Sequence, residues 1–121
     1  MLTHTCLGTN DLPRAAAYYD ALLPLLGAKR MFEGERSVGW GTGQRPMFSV
    51  MKPFDGKPAT VGNGSMLSFA APDIATVQAV HAKALELGSQ DEGAPGPRGM
   101  QYYGAYWRDL DGNKLAVFTQ V

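Results

Sequence analysis

His4, Cys6, His81, Tyr103 and a scatter of carboxylates are the side chains here with the chemistry to bind a metal, move a proton or attack a substrate. His4 and Cys6 are two positions apart, which puts them on one face of an extended segment. An imidazole beside a thiol is the composition of an activated thiolate. Side chains two apart on a strand are still roughly 7 Å apart at the backbone, so Cys6 is expected to be a buried, inert thiol. His4 could instead serve alone as a general base with Tyr103 as its polar partner. His81 falls in helical sequence and is expected at the core edge or surface. Asp55, Glu33, Glu35 and Asp91 fall in turn or loop sequence and are expected to be solvated. No G-x-S-x-G or P-loop is present. Gly39-Trp-Gly41-Thr-Gly43 reads as a turn between strands, because a phosphate cradle would have to open a helix.

The elements that must position these groups can be read along the chain. Leu2 to Thr9 has strand character. Asn10-Asp11 starts a helix, with Asp11 as N-cap and Pro13 in the first turn. Ala15, Tyr18, Tyr19, Leu22, Leu23 and Leu26 follow at helical spacing; Pro24 ends or kinks the helix and Gly27 stops it. Three short strands are expected over Lys29 to Glu33, Arg36 to Gly41 and Pro46 to Lys52. In the last, Met47, Ser49 and Met51 share one face. A loop of Pro53 to Gly64 follows, and then the pattern restarts. Ser65 to Ala71 is a strand and Pro72-Asp73 a second helix start. Ile74, Val77, Val80 or His81, Ala84 and Leu87 form its apolar stripe, and Gly88 its end. Glu92 to Gly99 reads as a Gly/Pro loop, and Gln101 to Arg108 and Lys114 to Gln120 as strands around the turn Asp109-Leu-Asp-Gly-Asn113.

The totals exclude several roles. With 121 residues the chain fits one domain, and its 11 basic and 11 acidic residues give no field for nucleic acid or a membrane surface. One cysteine rules out an intrachain disulfide and suits a reducing compartment. No stretch approaches the roughly 20 apolar residues that span a bilayer, and the first residues do not read as a signal peptide. A cytoplasmic protein is expected.

Placing Asp11 on Asp73 aligns two strand–cap–helix units. His4 then meets Met66, Leu7 meets Phe69, and Tyr19 meets His81. The chain therefore divides into modules of approximately 1–53 and 65–121, joined by a loop at 54–64, within one domain over 1–121. The expected class is α+β: two βαβββ modules whose curled mixed sheets surround a shared cleft, a natural place for a ligand.

Four stretches carry a family resemblance: His4-Thr-Cys-Leu-Gly-Thr-Asn-Asp-Leu-Pro-Arg-Ala-Ala-Ala-Tyr-Tyr-Asp20, Leu26-Gly27, Ala70-Ala-Pro-Asp73, and Arg108-Asp-Leu-Asp-Gly-Asn113. In this order the chain resembles the glyoxalase/bleomycin-resistance/dioxygenase, or vicinal-oxygen-chelate, superfamily. Pro53-Phe-Asp-Gly-Lys-Pro-Ala59, Gly62-Asn-Gly64 and Asp91-Glu-Gly-Ala-Pro-Gly-Pro97 further resemble a bacterial glyoxalase-like subgroup whose substrates are mostly unassigned. The resemblance implies a divalent metal (Zn, Ni, Mn or Fe) held by His, Gln and Glu side chains, acting as Lewis acid and template. It also implies a homodimer. Carried over residue by residue, the ligand positions fall on His4, Ser49, Met66 and Ala116. Of these only His4 is a good ligand, so a metal is expected to bind through His4 if at all, and no cofactor is the default.

The resulting expectation is a glyoxalase/bleomycin-resistance-like protein with a degenerate metal site. It would bind a small, partly apolar molecule, as the bleomycin-resistance proteins sequester ligand without catalysis. The ligand-binding residues would be His4, Ser49, Met51, Met66, Tyr103 and Ala116, with His4 and Tyr103 as catalytic candidates. The alternative is a metal-dependent lyase, isomerase or dioxygenase with a rearranged or dimer-shared site built on His4. Whether the chain is an enzyme is left open.

Overall fold

The computed structural model describes residues 1–121. The chain forms two compact units, Met1–Val61 and Gly62–Val121, and each repeats one topology. In the first unit, β1 (His4–Gly8) leads into α1 (Leu12–Leu22) and a 3-10 turn (Leu23–Leu26), followed by β2 (Lys29–Glu33), β3 (Ser37–Gly41) and β4 (Met47–Met51). The sheet order is β1-β4-β3-β2, with β1 and β4 parallel and the other pairs antiparallel. In the second unit, β5 (Leu67–Ala70) leads into α2 (Ile74–Glu86), β6 (Gln90–Pro97), β7 (Tyr102–Arg108) and β8 (Lys114–Gln120). Its sheet order is β5-β8-β7-β6, again with only the first pair parallel. This is the expected α+β architecture of two mixed sheets and two helices.

Both helices begin where their sequence signals place them. Asp11 accepts from Arg14 N at 3.1 Å, with a proline in the first turn. Asp73 accepts from Thr76 N at 2.8 Å and from Thr76 Oγ1 at 2.7 Å. These Thr76 bonds hold the Asp73 carboxyl below the usual range. Pro24 lacks an N–H and cannot continue α1. The chain tightens into the 3-10 turn and ends at Gly27, whose φ of 76° is left-handed.

One face of each sheet packs on its helix. In the first unit the core is aromatic. The Tyr19 ring meets Tyr18 at 4.9 Å, Phe48 at 4.8 Å and Trp40 at 5.5 Å. Asp20 closes it at the rim, accepting from Trp40 Nε1 at 2.8 Å and from Arg30. Burial alone would raise the Asp20 carboxyl, but the bonds from Arg30 and Trp40 outweigh it and hold it below the usual range. In the second unit the core is mostly aliphatic: Val77, Val80 and Ala84 of α2 lie with Ala105, Trp107, Leu115 and Val117, all fully buried. The Asp109–Asn113 turn is tied by the Asp109 carboxylate, which accepts from Asp111 N and Asn113 N at 2.9 Å each and from Asn113 Nδ2 at 3.0 Å.

The stretch expected as a Gly/Pro loop is a strand. Residues Gln90–Pro97 form β6, the edge strand beside β7, with register shifts between Asp91 and Gly93 and between Gly93 and Gly96. Proline is tolerated on an edge because one side of the strand needs no ladder donor. The glycines sit at the irregularities, where a bulge absorbs the extra residues.

Candidate functional site

The open face of the first sheet, opposite α1, collects the chemistry of that unit. Strand register puts His4 beside Met47, Cys6 beside Ser49, and Gly8 beside Met51. Gly39 and Ser37 continue these rows on β3. Parallel neighbours in register point the same way, so His4, Cys6, Met47, Ser49 and Met51 share this face.

His4 is exposed, and its Nδ1 lies 3.0 Å from the Thr3 hydroxyl. Its Nε2 has no partner in the chain. Cys6 is exposed rather than buried. The face that carries it lies away from the helix, so helix–sheet packing does not cover the thiol. Ser49 is nearly buried, and its hydroxyl donates to Thr5 O at 2.9 Å. Ser49 is therefore held as a structural group.

The segment after β4 folds back over the end of β1. Asn10 works as a clasp: Ala59 N donates to Asn10 Oδ1 at 2.7 Å, and Asn10 Nδ2 donates to Ala59 O at 3.1 Å. Gly8 gives the segment close approach, since a Cβ there would stand 3.0 Å from the Ala59 Cβ. The result is a hollow of about 380 Å³ lined by Cys6, Gly8 and Met51 from the sheet and by Pro53, Asp55, Pro58 and Thr60 from the segment. Asp55 also accepts from Lys57 N at 3.0 Å. Asn10, Pro58 and Ala59 were not among the expected site residues. Asn10-Asp11 signals only a helix start, and 54–64 only a linker. An amide pairing 49 residues away leaves no mark in local sequence.

The remaining expected site residues belong to the second unit. Met66, just before β5, is 49% exposed. Ala116 stands on the open face of the second sheet between Ser68 and Tyr106 in register, yet it is fully buried and presents no surface to a ligand. Tyr103 does not join these residues. Alternation along β7 sends Tyr102, Gly104 and Tyr106 to the open face and Tyr103 to the helix side, where Gln78 Nε2 donates to its hydroxyl at 3.1 Å. Tyr103 is thus a helix–sheet contact. His81 and Asp91 meet instead, at 3.0 Å. His81 is buried on α2, and Asp91, expected in a solvated loop, lies on β6. The Gly93 N–H, and then the His81 contact, hold the Asp91 carboxyl below the usual range.

The donors present do not fit a divalent metal within either unit. No group of three or more His, Cys, Asp or Glu side chains comes together. A single exposed imidazole beside thioethers and an engaged hydroxyl is a poor set for the harder divalent ions.

A family model described as the Glyoxalase/Bleomycin resistance protein/Dioxygenase superfamily matches residues 1–117. The chain belongs to this superfamily. A glyoxalase/bleomycin resistance protein from Albidiferax ferrireducens T118 is 36% identical, with a TM-score of 0.91 over 100% of this chain and 99% of its own. The same glyoxalase fold recurs in a lactoylglutathione lyase from Agrobacterium tumefaciens (23% identity, TM-score 0.72, 98% of this chain and 92% of that one). It recurs again in the fosfomycin resistance protein FosX from Mesorhizobium loti (19% identity, TM-score 0.72, 100% and 92%). No curated protein matches. No helix of this glyoxalase-superfamily chain is long and apolar enough to cross a membrane.

Proposed function

We propose that this superfamily member binds a small, partly apolar molecule on the open face of its first sheet and has a metal site reduced to His4. The observation that carries the reading is the open hollow beside the Asn10–Ala59 clasp. Its walls are a thiol, a thioether and prolines, with one carboxylate at the rim. The surface of the hollow is mixed, more polar than apolar, which suits a small molecule that has hydrogen-bonding groups beside an apolar part. The description of the Albidiferax ferrireducens relative as a glyoxalase/bleomycin resistance protein agrees with it. The same reading makes the protein a cytoplasmic homodimer, which light scattering on the purified chain would check.

The test is a ligand-observed NMR screen of small aromatic and aliphatic compounds, read also at the methionine methyl groups. Hits that shift Met47 and Met51, and that are lost in Asn10→Ala, are expected. A screen without binders would overturn the reading. A second reading has one observation in its favour: His4 Nδ1 is held beside Thr3 while Nε2 is left open, the arrangement of a ligating or proton-transferring histidine. It makes the protein a metal-dependent lyase, isomerase or dioxygenase with a rearranged or dimer-shared site. Near-stoichiometric Zn, Ni, Mn or Fe in untagged protein, lost in His4→Ala, would favour it. Metal that cannot be restored by adding ions would sink it.

A further inference from the structure

The hollow beside the Asn10–Ala59 clasp offers a ligand acceptors rather than donors from its side chains. Its polar side chains are the Asp55 carboxylate, the Thr60 hydroxyl and the Cys6 thiol, and no side chain in its wall brings an N–H. An ionised carboxylate only accepts, and a hydroxyl can turn its lone pairs outwards. Pro53 and Pro58 add no backbone donor. The Ala59 N–H, also in the wall, is spent on Asn10 Oδ1.

Asp55 is the one charged side chain lining this hollow. Its Oδ1 accepts from Lys57 N at 3.0 Å, and its Oδ2 has no partner in the chain. No ion pair involves it. The lysines near it in sequence, Lys52 and Lys57, line a different hollow of about 260 Å³ with Thr9, Asn10 and Gly56. The two hollows meet at Pro53 and Pro58, which line both. Cationic and anionic side chains are thus sorted to separate hollows on either side of these prolines.

An acceptor-lined hollow with one uncompensated carboxylate complements a positively charged donor. A primary ammonium brings three N–H donors in one compact charge, enough for Asp55 Oδ2 and the Thr60 hydroxyl. The Met51 thioether and the proline rings supply soft apolar surface for the rest of the molecule. A ligand carboxylate would instead meet Asp55 as a like charge. We propose that this hollow takes a small primary amine in its ammonium form, with the charge on Asp55 and the apolar body against Met51, Pro53 and Pro58. The assignment rests on the small-molecule-binding reading and gives that molecule its charge.

The test is NMR titration of the full chain, followed at the methionine methyl groups, with benzylammonium, benzyl alcohol and benzoate. These probes share one ring and differ in charge. Each is titrated into the wild type and into Asp55→Asn, whose side-chain oxygen can still accept from Lys57 N, so that the charge is removed and the turn is kept. Benzylammonium should shift Met51 and bind about fivefold more tightly than benzyl alcohol, with benzoate the weakest of the three. In Asp55→Asn, benzylammonium should fall to within about twofold of the alcohol, while the alcohol itself stays within about twofold of its wild-type affinity. Benzoate binding most tightly, or an ammonium preference that survives in Asp55→Asn, would overturn the proposal. Equal binding of ammonium and alcohol at Met51 would remove the charge assignment and leave the broader reading standing. If none of the three shifts Met51 the assignment also falls, and the wider compound screen decides the broader reading by itself.

Discussion

The two units share one strand order and one helix placement but fill them with different chemistry. In the first, α1 presents Tyr18 and Tyr19 to Trp40 and Phe48, and its open sheet face is soft and uncharged, with His4, Cys6, Met47 and Met51. In the second, α2 presents Val77, Val80 and Ala84, and the aromatic residues Tyr102, Tyr106 and Phe118 have moved to the open face beside Arg98 and Lys114. Tyr19 and His81 occupy matching helix positions. One is a hub of ring contacts and the other reaches a carboxylate. The difference teaches that the helix–sheet seam needs only a filled volume, whereas the open faces are where the repeats have diverged in the side chains they present.

Removing the central ring of each core tests whether the seams are equally demanding. Trp40→Ala and Trp107→Ala, at 1% and 0% exposure, are each expected to cost about 3–5 kcal/mol in chemical denaturation. A small loss at either would mean that seam repacks. The glycines under the open-face rings separate the faces next. Gly104→Ala drives a Cβ into the part-buried Phe118 ring and is expected to cost about 1–3 kcal/mol. Gly39→Ala makes an even closer approach to Phe32, but that ring is 44% exposed and can swing away, so less than about 1 kcal/mol is expected. Equal costs would break the distinction.

Finer effects concern the polar clasps. Trp40→Phe keeps the ring and deletes the donor to Asp20, for an expected loss of about 1 kcal/mol by denaturant titration. Asp91→Asn sharpens the contrast through pH. The Asp91 carboxyl is held below its ordinary value, so its stabilisation is present above the unfolded pKa and lost as pH falls through the folded one. Melting temperatures between pH 6 and pH 2.5, on the order of the carboxylate range, should fall less steeply for Asp91→Asn than for the wild type. Parallel curves would remove Asp91 from the acid limb.

Caps, helix ends and most strands were legible in the sequence because they depend on neighbours. Asp11 and Asp73 bond three residues onward, and Pro24 and Gly27 act at their own positions. What escaped was set at a distance. β6 was hidden by prolines and glycines that an edge strand tolerates, and Cys6 was expected inside because strand alternation alone does not say which face the helix covers. Tyr103 was misplaced relative to Ala116 for the same reason, and the Asn10 clasp spans 49 positions. The ligand positions named through the family resemblance were placed by offsets from Asp and Gly landmarks. Those offsets fixed His4, Met66 and Ala116, and strand alternation gave Ser49, but neither could foresee that Ser49 is spent on Thr5 O or that Ala116 is sealed.

The strand order has a practical consequence for handling the protein. β1 and β5 each lie at a sheet edge. The edge strand β6 is interrupted by prolines and bulges, and β2 carries Lys29, Arg30 and Glu33. β1 and β5 carry neither device, though Gly8 of β1 lies beneath the segment around Ala59. With a net charge of zero and an isoelectric point near 6.7, colloidal repulsion is weakest close to neutral pH. Solubility should therefore pass through a minimum there, and a buffer one or two pH units away, on the order needed to charge the surface, would suit concentrated samples better.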